Sequence, residues 1–81
     1  MFALLEFDWG NKTITKKINT TDLFNDIANN GNIWFNFDSN GVFFKFQVNW
    51  KCNLIAIYLV HTNEKVFEID NFNLYFSKNL K

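Results

Sequence analysis

Residues 33–50 alternate large apolar and polar side chains on either side of an Asn40-Gly41 pair, and that combination leaves little choice of local fold. Asn-Gly readily takes the two positive φ angles of a type I′ turn, whose twist matches that of paired strands. A two-residue loop sets Phe37 opposite Phe44, Phe35 opposite Phe46 and Ile33 opposite Val48 on one face. The other face receives Asp38 with Phe43, Asn36 with Lys45 and Trp34 with Gln47. A three-residue loop would place Lys45 opposite Phe35 and Gln47 opposite Ile33, mixing polar with apolar. A one-residue slip carries a strand's whole apolar set to the wrong face, so the unmixed register is the one expected.

The rest of the chain divides at turn residues into short elements, with no linker, repeat or low-complexity stretch. Ala3, Leu5, Phe7 and Trp9 alternate with Leu4, Glu6 and Asp8, which predicts a strand over Phe2 to Trp9. Gly10-Asn11 turns it back along Lys12 to Ile18, pairing Phe7 with Ile14. Asn19-Thr20-Thr21-Asp22 supplies capping oxygens for a short helix that stops at Asn30-Gly31. Its spacing puts Leu23, Phe24, Ile27 and Ala28 on the packed side and Asp22, Asn25, Asp26 and Asn29 on the solvated one. Leu54 to Val60 is apolar at odd and even positions alike, the pattern of an inner strand covered on both sides. Lys65 to Ile69 and Phe72 to Phe76 read as strand-like around an Asp70-Asn71 corner, although the pattern leaves 65–76 open between two strands and a partly helical segment. The expected architecture is a single α+β domain spanning 1–81, in the order ββαββββ, with one short helix packed on one face of a mainly antiparallel sheet.

Composition narrows the partners. Eight Lys balance eight acids and Arg is absent, so no net field gathers phosphate or anionic lipid, and the forked donor that reads guanine is missing. Lys12, Lys16 and Lys17 make at most a small basic patch, and nucleic acid is therefore disfavoured. The longest apolar run falls far short of the about 20 residues that a membrane-spanning helix needs, and the opening residues lack the basic and apolar pattern of an export leader. One Cys, Cys52, cannot form an internal disulfide, which makes a cytoplasmic location the expectation. Fourteen Asn, with abundant Phe, Ile and Lys, fit an AT-rich coding sequence of the kind found in AT-rich bacteria, their phages and plasmids, and some viruses and parasites.

Chemistry is hard to find. Cys52 and His61 suggest a thiol–imidazole dyad, but an intervening extended strand rises about 3.3 Å per residue and holds its ends far beyond hydrogen-bond reach. Four Cys or His ligands would be needed for a closed zinc site, and the chain has two such residues in all. Asp38-Ser39-Asn40-Gly41 lacks the later acid of a calcium loop. The carboxylate pairs Glu6/Asp8 and Asp22/Asp26 read as solvated faces. The stretch from Asn40 to Phe46 lacks the basic first residue of an RNA-recognition signature, and Val42 and Phe43 violate two of its later slots. Neither an enzyme nor a cofactor-bearing protein is expected.

What remains is an aromatic surplus of eleven Phe, three Trp and two Tyr. One hairpin face can form a core with Leu23, Phe24 and Ile27 of the helix, which leaves Trp34 and Phe43 pointing away, joined by Tyr58 or its odd-numbered neighbours. Either the N-terminal hairpin or the C-terminal strands fold across those residues and bury them, or they form an exposed association patch. The expected function is a non-enzymatic protein-binding module, in the form of a small phage or mobile-element inhibitor that occupies a host protein's surface. Trp34, Asn36, Phe43, Lys45 and Tyr58 are its contact candidates. The alternatives are a homo-oligomer assembled through an aromatic face or an edge strand, homodimers included, and a weak single-stranded nucleic-acid binder.

Overall fold

The computed structural model describes residues 1–31 and 33–77. The fold is α+β: seven strands in two antiparallel sheets and one short helix, in the order β1 (Phe2–Trp9), β2 (Lys12–Asn19), α1 (Thr20–Ala28), β3 (Trp34–Ser39), β4 (Val42–Asn49), β5 (Leu54–Leu59), β6 (Lys65–Ile69) and β7 (Asn73–Ser77). That is one strand more than the order expected from sequence, because 65–76 forms strands on both sides of its corner. The corner carries the chain from one sheet to the other. β3, β4, β5 and β6 follow one another in a four-stranded sheet, whereas β7 joins the N-terminal hairpin in the order β2-β1-β7.

Turn chemistry sets the hairpins β3–β4 and β1–β2. Asn40 and Gly41 take φ of 53° and 81°, the double positive angle of a type I′ turn. The resulting register is Trp34↔Gln47, Phe35↔Phe46, Asn36↔Lys45, Phe37↔Phe44 and Asp38↔Phe43, as the alternation requires. Ile33 lies outside this ladder, just ahead of β3, so the expected pairing of Ile33 with Val48 does not form within the strands. At the first hairpin Gly10 has φ of 60° while the φ of Asn11 is not positive, the pattern of a type II′ turn, and Phe7 still meets Ile14.

The core lies between the sheets. Ala3, Leu5, Phe7 and Ile18 from the first meet Phe37, Phe46, Val48, Ile55 and Ile57 from the second, with Leu23 of α1 closing one side. Aromatic geometry differs by direction. Cross-strand neighbours within the second sheet stack, Phe35 on Phe46 at 5.1 Å and Phe37 on Phe44 at 5.3 Å. Rings that meet across the two sheets do so edge to face, as with Phe7 and Phe46 at 4.8 Å and Trp9 and Phe44 at 5.3 Å. The pleat aligns neighbouring rings, while the facing sheet presents ring edges to them, and both arrangements suit the aromatic quadrupole.

The helix departs from expectation. Leu23 and Asp26 are its buried residues, while Phe24 is 57% exposed and Ile27 41% exposed. The reason is that the first sheet, rather than the helix, covers the aromatic face, and α1 is left at the margin against β1 and β2. Its start is as predicted, with the Asn19 side chain accepting from the amides of Thr21 at 2.8 Å and Asp22 at 3.4 Å. Its end passes through Asn30 and Gly31, with φ of 64° and 78°. Gly31 is buried so tightly that a Cβ there would run into the Val48 carbonyl oxygen.

Candidate functional site

β4 lies between β3 and β5 and is hydrogen-bonded on both sides, whereas β3 ends the sheet. The register Phe44↔Leu59, Lys45↔Tyr58 and Phe46↔Ile57 resolves the ambiguity of the all-apolar strand. Ile55 and Ile57 enter the core, and Tyr58 comes out beside Lys45. β5 is thus internal in its sheet yet covered on one face; Ala56 and Tyr58 are half-buried by their neighbours alone. This corrects the expectation of cover on both sides. The alternation is blurred because a half-buried outer face in mid-sheet also tolerates Leu, Ala and Tyr.

Three of the five candidates touch. The Trp34 and Tyr58 rings meet edge to face at 5.2 Å, and the Lys45 ammonium lies 4.9 Å from the centroid of the Trp34 ring. A cation over an indole face adds electrostatic attraction to the packing of its own apolar stem. Asn36 stands beside Lys45 in the ladder and is exposed. Phe43 sits apart at the turn end, opposite Asp38, where it joins Val42, Leu59, Val60 and His61 around a shallow depression. Trp34 is 43% exposed and Phe43 66% exposed. Neither the N-terminal hairpin nor the C-terminal strands fold across them, since both segments belong to the opposite side of the core or its rim.

The dyad, metal and carboxylate candidates stay apart. Cys52 and His61 are exposed in turns at opposite ends of β5. Among the described residues no group of three His, Cys, Asp or Glu side chains is placed to hold a metal ion. Glu6 accepts from the Tyr75 hydroxyl at 3.5 Å and Asp8 from the Thr13 hydroxyl at 3.2 Å, so each serves its own sheet.

Asp26, expected on the solvated side of the helix, is instead buried. It is 3% exposed, with one carboxylate oxygen accepting from the Ile33 amide at 2.7 Å and the other from the Trp50 indole at 2.5 Å. Its carbonyl accepts from the Gly31 amide at 2.8 Å, and the Gln47 side chain donates to the Gly31 carbonyl. One aspartate therefore ties the end of α1, the start of β3 and the turn after β4 together. A signal was present in the sequence: an acid in the last turn of a helix opposes the macrodipole and calls for some other partner.

A second group of apolar residues escaped the sequence reading. Phe24 of α1 stacks on Phe76 of β7 at 6.4 Å, and both rings remain more than half exposed. Helix periodicity had assigned Phe24 inward, and the pairing of β7 with β1 could not be seen from local pattern. Comparison of the chain with protein-family models, with curated proteins and with solved structures finds no match.

Proposed function

We propose that the chain is a non-enzymatic protein-binding module whose contact surface is the outer face of the four-stranded sheet, carrying Trp34, Asn36, Phe43, Lys45 and Tyr58. The observation that carries the reading is the exposure of Trp34 and Phe43 on strands whose register is fixed by the Asn40-Gly41 turn and by the β3–β4 and β4–β5 ladders. Such rings lose little conformational freedom on binding, which is why aromatic residues on rigid scaffolds dominate interface energetics. The Trp34–Lys45–Tyr58 cluster supplies an anchor and Asn36 a polar rim.

The partner is a host protein, and the module an inhibitor encoded by a phage or mobile element and acting in the cytoplasm by covering that protein's surface. Small size, zero net charge and an Asn-rich, AT-biased composition support this form of the proposal. No described helix is long and apolar enough to cross a membrane. Single-stranded nucleic acid is the weaker rival, because the sheet offers Lys45 and a Lys65 already paired with Glu68 at 3.3 Å.

The test is affinity capture from extracts of the source organism with wild type, Trp34→Ala and Phe43→Ala as parallel baits, alongside thermal melts. The reading expects a partner that wild type retains and both variants lose by about 1–3 kcal/mol each, with melting midpoints unchanged. Variants that unfold, or that hold the partner as wild type does, would remove these residues from the interface. Retention of oligonucleotides that weakens steeply with salt would favour the nucleic-acid reading instead.

A further inference from the structure

We propose that β3 is a self-pairing edge, through which two copies of the chain join antiparallel about a twofold axis at Asn36 to make one continuous eight-stranded sheet. The inference concerns the strand edge rather than the sheet face, and it does not depend on the binding function proposed above.

Hydrogen-bond phase comes first. The two-residue turn makes Ser39↔Val42 the closing pair, with the Ser39 carbonyl accepting from the Val42 amide. Bonded and non-bonded pairs alternate along an antiparallel ladder, so Phe37 and Phe35 also direct their backbone groups to β4. Trp34, Asn36 and Asp38 then direct theirs outward. The far side of β4 agrees: the carbonyl of Phe43, which faces Asp38, accepts from the Val60 amide at 3.1 Å on the β5 side rather than from β3. β3 ends its sheet, and the three outward-facing residues are exposed.

Natural edges are usually blunted by Lys, Pro or bulges. β2 carries Lys12, Lys16 and Lys17, and β6 carries Lys65 next to an irregularity at Ile57/Tyr58. β3 has none of these devices over its six residues. Its sequence is also self-complementary. With the axis at Asn36, Asn36 exchanges both bonds with its counterpart and Trp34 exchanges both with Asp38 of the second copy, so all three outward residues are satisfied. Moving the axis to Phe35 or Phe37 leaves Asp38 or Trp34 without a strand partner. The chosen register sets Trp34 opposite the second copy's Asp38 on the outer face, so no like charges meet there. On the inner face it sets Phe35 beside Phe37, continuing the stacked row of β3 and β4 across the axis. Zero net charge puts no long-range repulsion in the way.

Sedimentation velocity from about 5 to 500 µM tests the proposal, a range suited to the modest affinity of a small interface. Wild type should pass from monomer to dimer. Asn36→Pro removes an outward amide and leaves the bonds to β4 in place, so it should stay monomeric with unchanged β circular dichroism. Asn36→Lys and Asn36→Asp each put like charges face to face at the axis and should each weaken the dimer at least tenfold. An equimolar mixture of the two should restore it in a salt-sensitive heterodimer. If Asn36→Pro does not fold, the charge pair decides alone. The proposal is overturned by a wild type that stays monomeric throughout, by a dimer that survives the Asn36 variants, or by charged variants that fail to rescue each other. A dimer lost on Tyr75→Lys but not on Asn36→Lys would place the interface at the β7 edge and also overturn it.

Discussion

Replacing Asp26 with Ala should come close to unfolding the domain, although the residue lies on an exposed helix at the margin of the core. Two of the bonds its carboxylate accepts, from the Ile33 amide and the Trp50 indole, are short. Hydrogen bonds to a charged group contribute about 1.5–3 kcal/mol each, and removing the acceptor strands two donors in half-buried surroundings. Partial access of water to Ile33 and Trp50 discounts the sum, which leaves a cost of about 3–5 kcal/mol. A domain of this length has on the order of 4–12 kcal/mol in total. Asp26→Asn keeps the shape but turns an amide donor toward one of the two N–H groups, at a cost of about 1–3 kcal/mol. Trp50→Phe removes the indole donor while keeping a ring against Phe72. In urea melts the Asp26→Ala and Trp50→Phe costs should fall well short of additive, because both remove the bond between Asp26 and Trp50. Asp22→Ala, four residues earlier on the exposed side, should change stability by no more than about 0.5 kcal/mol. Equal effects at Asp22 and Asp26, or strict additivity with Trp50, would refute the account of Asp26 as the tie between helix and sheet.

Phe46→Ala should cost about 3–5 kcal/mol in the same melts, since Phe46 is fully buried and contacts rings from both sheets, whereas Asn36→Ala should cost little. Gly31→Ala should destabilise by more than the about 1 kcal/mol usual for a lost left-handed glycine, because its Cβ also meets the Val48 carbonyl; a neutral result by calorimetry would show that the α1–β3 connection can shift. Cys52→Ser and His61→Gln should leave the melting midpoint within a few degrees of wild type, both being exposed turn residues, and a loss of several kcal/mol in either would show an unseen structural role.

How much of this was legible depended on the range of the interaction. The central hairpin was legible from Trp34 to Gln47, because Asn40-Gly41 fixes the loop length and two-sided alternation then fixes the register. That register alone placed Trp34, Asn36, Phe43 and Lys45 on one face. Tyr58 needed the β4–β5 pairing to choose between parities, which an all-apolar strand does not encode. The cover of the core was misread for a related reason. Amphipathicity says that α1 has an apolar side, but not that a three-stranded sheet will reach the aromatic face first. Asp26 was misassigned because its partners, Ile33 and Trp50, lie 7 and 24 positions away and the helical wheel knows neither.

The pairing of β1 with β7 has a kinetic consequence. β1 is the middle strand of its sheet, yet one of its two neighbours comes from the far end of the chain, and the Tyr75 to Glu6 bond closes a separation of 69 positions. The four-stranded sheet, by contrast, is built by successive neighbours, each joined by a short turn. Closing a long loop costs entropy before any contact repays it, so β3–β6 can form early while the smaller sheet stays incomplete. During synthesis the apolar side of β1, with Ala3, Leu5 and Phe7, can acquire its hairpin partner at once but must wait for Asn73–Ser77 before its other edge is covered. In that interval β1 is an unprotected strand in a nascent chain, and the speed at which translation delivers β7 sets how long it is open to the wrong neighbour.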